Sequence, residues 1–174
     1  MASLDTQRAT RAAALEGIAA ARFVFPSARQ PAWETHVNFP EVQLGLQTKS
    51  GAWIVPDLAV TAEPGHFLQT LAVVALRGEV TEAEARDRWL PLSKAGALYL
   101  FVPSGQAAEA NALCRQMKIR LAGLRTWRRS AAYGVMVEDA YAGPDLLRPI
   151  ARLLPPALRP RAYRRRRGAV LQAR

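Results

Sequence analysis

The chain has 174 residues, half of them hydrophobic and 22% charged, so it is long and apolar enough to bury a core as one domain. Its 24 Lys and Arg against 14 Asp and Glu give a formal charge of +10, which favours an anionic partner such as nucleic acid or an acidic protein. One cysteine excludes an internal disulfide, and two histidines 30 residues apart argue against a zinc site. The longest apolar stretch, residues 95–102, is too short to span a bilayer, and no secretory signal opens the chain, so we expect a cytoplasmic protein.

The first half of the chain predicts one helix and three strands. Apolar residues at helical spacing indicate a helix over residues 4–22, and a proline-punctuated stretch without regular pattern follows. Alternating residues 42–48 and the apolar run 52–60 flank a turn, which is typical of a hairpin. Residues 67–76 (FLQTLAVVAL) are apolar enough for a strand inside a sheet.

The second half alternates helices and strands. Thr81 and Glu84 form a capping-box pattern that begins a helix, and Pro91 is expected to end or kink it near Leu90. The elements expected after it are a strand over 97–102, a helix from Ser104, strands over 118–127 and 131–138 joined by residues 128–130, and short helical turns over 144–154.

This order predicts an α/β fold, in which helices flank a mixed sheet. The segment 81–95 is long enough to be a crossover between parallel strands. We expect one domain over residues 1–154, followed by a Pro- and Arg-rich basic tail over residues 155–174.

A carboxylate interrupts the second extended run, in the sequence WIVPDLAV. Pro56 removes a backbone donor, which is typical of a strand edge, a bulge or a bend. An unpaired carboxylate is costly to bury, so Asp57 must be paired, solvated or bound to a cation. The local sequence does not show which of these three alternatives applies to Asp57.

The P-D pair, together with the order of helix, three strands, helix and strand, resembles the PD-(D/E)XK restriction-endonuclease-like superfamily. The segment 53–105 is most similar to short bacterial members, and the resemblance in layout covers residues 4–127. It implies a restriction-endonuclease-like mixed sheet with an αβββαβ core. It also implies hydrolysis of a phosphodiester with a divalent metal, Mg²⁺, which carboxylates hold while it activates water.

The resemblance assigns residues to that chemistry one by one. Asp57 matches the metal-binding carboxylate of the second strand, and Glu34 is the candidate for the upstream glutamate. Strand three departs from the pattern, because residues 71–77 carry no acid and no lysine. Arg77 supplies a fixed positive charge there but cannot act as a base, and Glu79 in the following loop is the other candidate for the second metal ligand.

Two functional interpretations follow. The first is a nuclease-like protein that associates with nucleic acid and keeps a residual metal-dependent phosphodiesterase (endonuclease) activity centred on Asp57. The alternative is a catalytically inactive nuclease-fold module that acts as a DNA-binding or protein-interaction subunit, which the missing acid on strand three favours. Two further possibilities stay open. One is a structural subunit whose Arg tail inserts into an anionic partner, and the other is a homodimer.

The cationic side chains of the C-terminal third are the candidates for nucleic-acid contacts. Residues 115–129 contain six cations and no acid, and residues 152–174 contain eight arginines and no acid. Trp127 and Cys114 are expected to be buried packing residues. The predicted nucleic-acid residues are Arg125, Arg128, Arg129, Arg164, Arg165, Arg166 and Arg167.

Overall fold

A computed structural model describes residues 4–48, 51–142 and 163–164 of the chain. The helical elements are α1 (Leu4–Arg22), α2 (Glu82–Glu84), a π-helical turn (Ala85–Trp89), α3 (Leu90–Ala95) and α4 (Ala107–Gln116). The strands are β1 (Trp33–Val37), β2 (Leu44–Gln47), β3 (Trp53–Ile54), β4 (Leu58–Ala62), β5 (Phe67–Val74), β6 (Leu98–Pro103), β7 (Gly123–Ser130), β8 (Gly134–Ala142) and β9 (Tyr163–Arg164). The predicted α/β class and the helix over residues 4–22 are therefore confirmed.

The main sheet has six strands in the order β1-β4-β5-β6-β7-β8. The pairs β1/β4, β4/β5 and β7/β8 are antiparallel, whereas β5/β6 and β6/β7 are parallel. The segment 82–95 connects the parallel strands β5 and β6, as its length predicted. A second, small sheet has the order β3-β2-β9.

Hydrophobic clusters cover both faces of the main sheet. Leu71 and Val73 of β5 belong to the cluster that also contains residues of segment 82–95 and α4, whereas Ala72 and Val74 belong to the cluster beneath α1. Successive residues of a strand point to opposite faces, so a strand covered on both sides needs apolar residues at every position. This explains why residues 71–74 of β5 form a continuous apolar run.

The first strand of the sheet is not the one that the sequence predicted. The predicted hairpin over 42–60 is split: its first strand becomes β2 of the small sheet, and its second run divides into β3 and β4. The first strand of the main sheet is β1, which pairs with β4 from Trp33 opposite Ala62 to Val37 opposite Leu58. Pro56 lies between β3 and β4, and its missing N–H is consistent with the break.

Pro91 does not end the helical segment. The π-helical turn precedes it, with the Leu90 N–H donating to the Ala85 carbonyl, and α3 then continues with Pro91 in its first turn, where no N–H is needed. The capping box forms by half: the Thr81 hydroxyl accepts the Glu84 N–H at 3.3 Å. The Thr81 N–H donates to the Glu79 carbonyl at 3.0 Å, and the Glu84 carboxylate pairs with Arg88.

The β7–β8 hairpin turns later than predicted. Its turn is residues 131–133, so Arg128 and Arg129 lie within β7 and not in the connection. The predicted helical turns over 144–154 lie outside the described residues, as does the tail apart from β9, whose residues Tyr163 and Arg164 pair with Gly45 and Leu44. Among the described residues, no helix combines the length and the apolar character that crossing a membrane requires.

Candidate functional site

Asp57 lies directly before β4, at one end of the main sheet. Its backbone N–H donates to the Ala72 carbonyl at 3.0 Å, and its own carbonyl accepts the Asn38 N–H at 2.9 Å. These bonds continue the ladders on both sides of β4. The Asp57 backbone is thus fixed between two neighbouring strands, and its carboxylate has a defined position.

Two arginine side chains and one backbone amide contact the Asp57 carboxylate. Oδ2 accepts the Val74 N–H at 2.8 Å. Oδ1 accepts a hydrogen bond from Arg88 Nη2 at 2.9 Å and lies 3.5 Å from Arg11 Nη1. Asp57 is buried at 8% exposure, so each of its oxygens has a protein partner and little contact with water. Of the alternatives left open by the sequence, the structure selects a paired carboxylate.

The ion pairs continue on both sides of Asp57. Arg11 also binds the Glu79 carboxylate, whose other oxygen accepts the Leu76 N–H at 2.8 Å. Arg88 also pairs with Glu84 at 3.2 Å. We call these five side chains, Arg11, Asp57, Glu79, Glu84 and Arg88, the Asp57 cluster.

The Asp57 cluster keeps Arg88 charged. Burial by itself would lower the pKa of Arg88, but the charges of Asp57 and Glu84 and their hydrogen bonds outweigh it, so that its pKa stands above the ordinary value. A guanidinium offers donors only and does not lose its proton in water. The cluster can therefore keep charged side chains in fixed positions, but Arg88 cannot act as a base.

The Asp57 cluster as arranged does not fit a divalent metal. A hard cation needs several free oxygen ligands, and the Asp57 oxygens already accept an amide and guanidinium groups. A cation beside Arg11 and Arg88 would also meet two positive charges. In the part of the chain that the structure describes, no group of three or more His, Cys, Asp or Glu side chains is placed to hold a metal ion.

The structure brings one of the predicted partners to Asp57 and leaves two apart. Glu79 joins the cluster through Arg11. Glu34 lies opposite Thr61, four positions along β1 from Asn38, which is roughly 13 Å from the level of Asp57. Arg77 was expected on strand three, but β5 ends at Val74 and Arg77 is exposed in the following turn. The positive charges on Asp57 come from Arg11 and Arg88.

Sequence reasoning missed both arginines, although each left a signal. Arg11 stands four and seven residues before Leu15 and Ile18, the buried residues of α1, so it lies on the helix face that meets the sheet. Arg88 stands four residues after Glu84, at the spacing of a helical ion pair, and the structure contains that pair. A cation on an apolar helix face is the pattern that could have identified a buried acid as its partner.

The two histidines meet at the other end of β4. The ring centroids of His36 and His66 lie 6.5 Å apart, although the residues are 30 positions apart in the sequence. His36 Nε2 is 2.9 Å from the Thr61 hydroxyl and 3.6 Å from Glu34, and His66 Nδ1 is 2.5 Å from Glu63. His66 is therefore not beside Asp57, and Glu34 is held near a buried histidine.

Acids of β8 pair with two of the three predicted cations of β7. Arg125 Nε lies 2.6 Å from Asp139, and its guanidinium sits 4.8 Å from the centre of the Tyr99 ring. Arg128 approaches Glu138 at 3.8 Å, and Arg129 is exposed with no ion pair in the described part of the chain. The β9 backbone places Arg164 beside β2, while Arg165, Arg166 and Arg167 lie outside the described residues.

Trp127 and Cys114 are packing residues, as expected. Trp127 is 7% exposed, and its indole N–H donates to the Ala75 carbonyl at 3.0 Å. Cys114 is buried in the cluster beneath α4, and burial raises the pKa of its thiol to about 11. A protonated, enclosed thiol is a poor nucleophile, so Cys114 belongs to the core.

Comparison of the chain with protein-family models, with curated proteins and with solved structures found no match. We therefore infer its function from the contacts of the described residues.

Proposed function

We propose that this chain is a nucleic-acid-binding module with a restriction-endonuclease-like fold, in which arginine side chains take the place of the metal ion and no phosphodiester is hydrolysed. The order of elements supports the fold assignment: α1 precedes three antiparallel strands β1, β4 and β5, and a helical crossover leads to the parallel strand β6. The P-D pair falls at the start of the second of these strands, where the resemblance expects it.

One observation supports the proposed absence of hydrolysis: both oxygens of the Asp57 carboxylate are already bound by protein groups. Arg88, Arg11 and the Val74 amide use both oxygens of this buried carboxylate inside a partly buried cluster. A metal ion would have to displace charge-assisted hydrogen bonds, which are stronger than neutral ones. The same contacts hold α1 and the segment 82–95 against β4, so the former site acts as a structural junction.

Unpaired cations at the surface support the nucleic-acid part of the proposal. Arg115, Lys118 and Arg120 are exposed around the end of α4, and none of them forms an ion pair within the described residues. Exposed Lys and Arg neutralise phosphates and release condensed counterions. The formal charge of +10 acts in the same direction over the whole chain.

Residual hydrolysis is the second candidate, and Glu79 favours it. The structure gives this loop residue a place in the cluster, bridged to Asp57 by Arg11. Glu84 approaches from the other side through Arg88. Glu79 and Glu84 thus each share a guanidinium partner with Asp57.

Metal binding and nucleic-acid binding measured on one preparation test the proposal. We expect wild type to give no binding heat with Mn²⁺ or Mg²⁺ at millimolar concentration, and no metal-dependent cleavage of plasmid or single-stranded DNA. We also expect it to bind DNA with an affinity that falls steeply as salt rises. Metal-dependent cleavage that disappears in Asp57→Asn would establish the second candidate instead. Absence of DNA binding at low salt would reject the nucleic-acid role.

A gain-of-binding variant tests the role of the arginines directly. Arg11→Gln/Arg88→Gln removes two positive charges and frees the carboxylates of Asp57, Glu79 and Glu84. We expect this variant to bind Mn²⁺ with a millimolar or tighter Kd. The matched control Arg29→Gln/Arg86→Gln removes the same charge from exposed positions and should stay without binding. Circular dichroism checks that both variants are folded, and binding by wild type equal to that of the double variant would contradict the proposal.

A further inference from the structure

A cleft opens between α1 and the β7–β8 hairpin, away from the Asp57 cluster. Its volume is about 520 Å³, and its walls include Glu16 and Gly17 of α1 and Arg129, Ser130 and Val135 of the hairpin. Ligand-binding clefts commonly have volumes of about 300 to 1,000 Å³. The space is therefore large enough for one nucleotide unit.

Small residues produce this cleft. Gly17 lies so close to β8 that a Cβ atom built on it would be 2.3 Å from Val135 Cγ2, so the helix rests on the strand at that point. Ala13 of α1 and Ala131 and Gly134 of the hairpin also line the cleft and fill little volume. The close contact at Gly17 places α1 directly against β8 at one end of the hairpin.

The hairpin turn next to the cleft carries an exposed aromatic ring, and Arg129 in the cleft wall carries a free positive charge. Tyr133, in the hairpin turn, is 79% exposed. Arg129, which lines the cleft, is exposed and makes no ion pair within the described residues, whereas Arg128 alternates to the opposite face of β7 and lies 3.8 Å from Glu138. An exposed ring close in the chain to a free guanidinium group is the combination that proteins use for unstacked bases and their phosphates.

We propose that the cleft and the hairpin turn bind single-stranded nucleic acid, an inference that rests on the nucleic-acid role proposed above. Arg129 contacts a phosphate, and a base stacks on Tyr133. The Glu16 carboxylate in the opposite wall repels phosphate and accepts a hydrogen bond from the exocyclic amino group of a base. Cytosine has such an amino group and thymine has none, so the site prefers oligo(dC) to oligo(dT).

Single strands fit this site better than a duplex does. Stacking on a side chain requires a base whose face is free, and the bases of a duplex are stacked on one another. One cleft and one ring accommodate one or two nucleotides. The remaining affinity comes from phosphate contacts along the strand.

Fluorescence anisotropy with labelled 12-nucleotide oligomers at two salt concentrations tests the proposal. Because stacking of one base contributes a factor of roughly 5 to 150, we expect Tyr133→Ala to weaken binding about tenfold, and Tyr133→Phe to stay within about twofold of wild type. Arg129→Ala should lower the salt slope by about 0.7, the value for one phosphate contact on a single strand. Glu16→Ala should abolish the preference for oligo(dC).

Arg29→Ala is the matched control. Arg29 is exposed and precedes β1, at the edge of the sheet opposite β8, so its removal changes the net charge by the same amount without touching the cleft. It should leave the affinity for oligo(dC) and its salt slope near those of wild type.

Three outcomes would overturn the inference. If wild type binds the oligomer and Tyr133→Ala and Arg129→Ala bind it equally well, the cleft is not the site, while the proposed nucleic-acid role stands. If a 12-base-pair duplex competes as well as the single strand, the preference for unstacked bases is wrong. If wild type binds neither, the site and the proposed function both fail.

Discussion

The Asp57 cluster and the cleft beside the β7–β8 hairpin both lie where α1 meets the main sheet, but they treat charge in opposite ways. In the first, Arg11 of α1 enters a closed network in which every carboxylate has a guanidinium partner. In the second, Glu16 of α1 and Arg129 of β7 face an open cleft, and neither forms an ion pair within the described residues.

The difference separates structural charges from charges that are free to bind a ligand. A buried ion must be paired, because its desolvation is otherwise uncompensated, and its loss therefore affects folding. An exposed ion keeps its water until a partner arrives, so its loss affects binding while stability changes little. The same amino-acid type, arginine, thus has two roles on one molecule.

The largest expected effect is that of Asp57→Ala. The substitution leaves the guanidinium groups of Arg11 and Arg88 without their shared carboxylate and removes the acceptor of the Val74 N–H. Because Arg11 keeps Glu79 and Arg88 keeps Glu84 as a partner, we expect the free energy of unfolding to fall by about 2 to 3 kcal/mol, through the lost charge-assisted hydrogen bonds and the unpaired Val74 N–H. Urea unfolding followed by circular dichroism measures it. Asp87→Ala, at an exposed position, is the control and should change stability by less than about 0.5 kcal/mol. A loss below about 1 kcal/mol for Asp57→Ala would mean that the cluster is not a structural junction.

A smaller effect is expected for Gly17→Ala, which tests the contact that shapes the cleft. Helix propensity alone would stabilise α1 by about 1 kcal/mol. The new methyl group would lie 2.3 Å from Val135 Cγ2 and 2.6 Å from its Cβ, and overpacking of this kind costs about 1 to 3 kcal/mol. We therefore expect a net destabilisation of about 1 kcal/mol in thermal or urea unfolding. A gain in stability would show that α1 and β8 can separate, and Glu16→Ala on the same helix serves as the control that should stay near wild type.

The smallest difference is expected between two arginines of the same strand. Arg125 lies over the Tyr99 ring and pairs with Asp139, so Arg125→Ala should lower the free energy of unfolding by about 1 kcal/mol. Arg129→Ala should change it by less than about 0.5 kcal/mol, because the side chain has no such contacts within the described residues. Equal stability changes in the two variants, measured in parallel urea titrations, would remove the distinction between a structural and a free cation within β7.

The sequence identified Asp57 as a special residue but not its partners. The conflict between an ionised side chain and an apolar run is visible in the letters WIVPDLAV, and it correctly required compensation. The compensating groups come from α1 and from the segment 82–95, 46 residues before Asp57 and 31 residues after it. Separations of this size leave no local pattern in the sequence. The expected positive charge near Asp57 was therefore assigned to Arg77, which the structure leaves exposed.

The position of the first sheet strand shows the same limit. Residues 33–37, WETHV, contain one apolar residue at each end and three polar ones between them. Four of the five are only half-buried, and nothing in that composition marks a strand. Residues 33–37 form a strand because they pair with the edge of β4. Pairing between strands, and not the β-propensity of these residues, therefore determines the structure of this segment.

Local physics was sufficient for the elements whose signals lie within a few residues. The spacing of Ala14, Leu15 and Ile18 determined α1, the Thr81 hydroxyl determined where the helical segment begins, and the apolar run of β5 determined a strand covered on both faces. The pairing of Asp57 with Arg11 and Arg88, the approach of His36 to His66, and the cleft at Gly17 were decided only by the tertiary structure. The physical reason is that hydrogen-bonding and packing preferences act over a single turn or strand pair, whereas a buried charge is stabilised by whichever opposite charge the fold brings within about 4 Å.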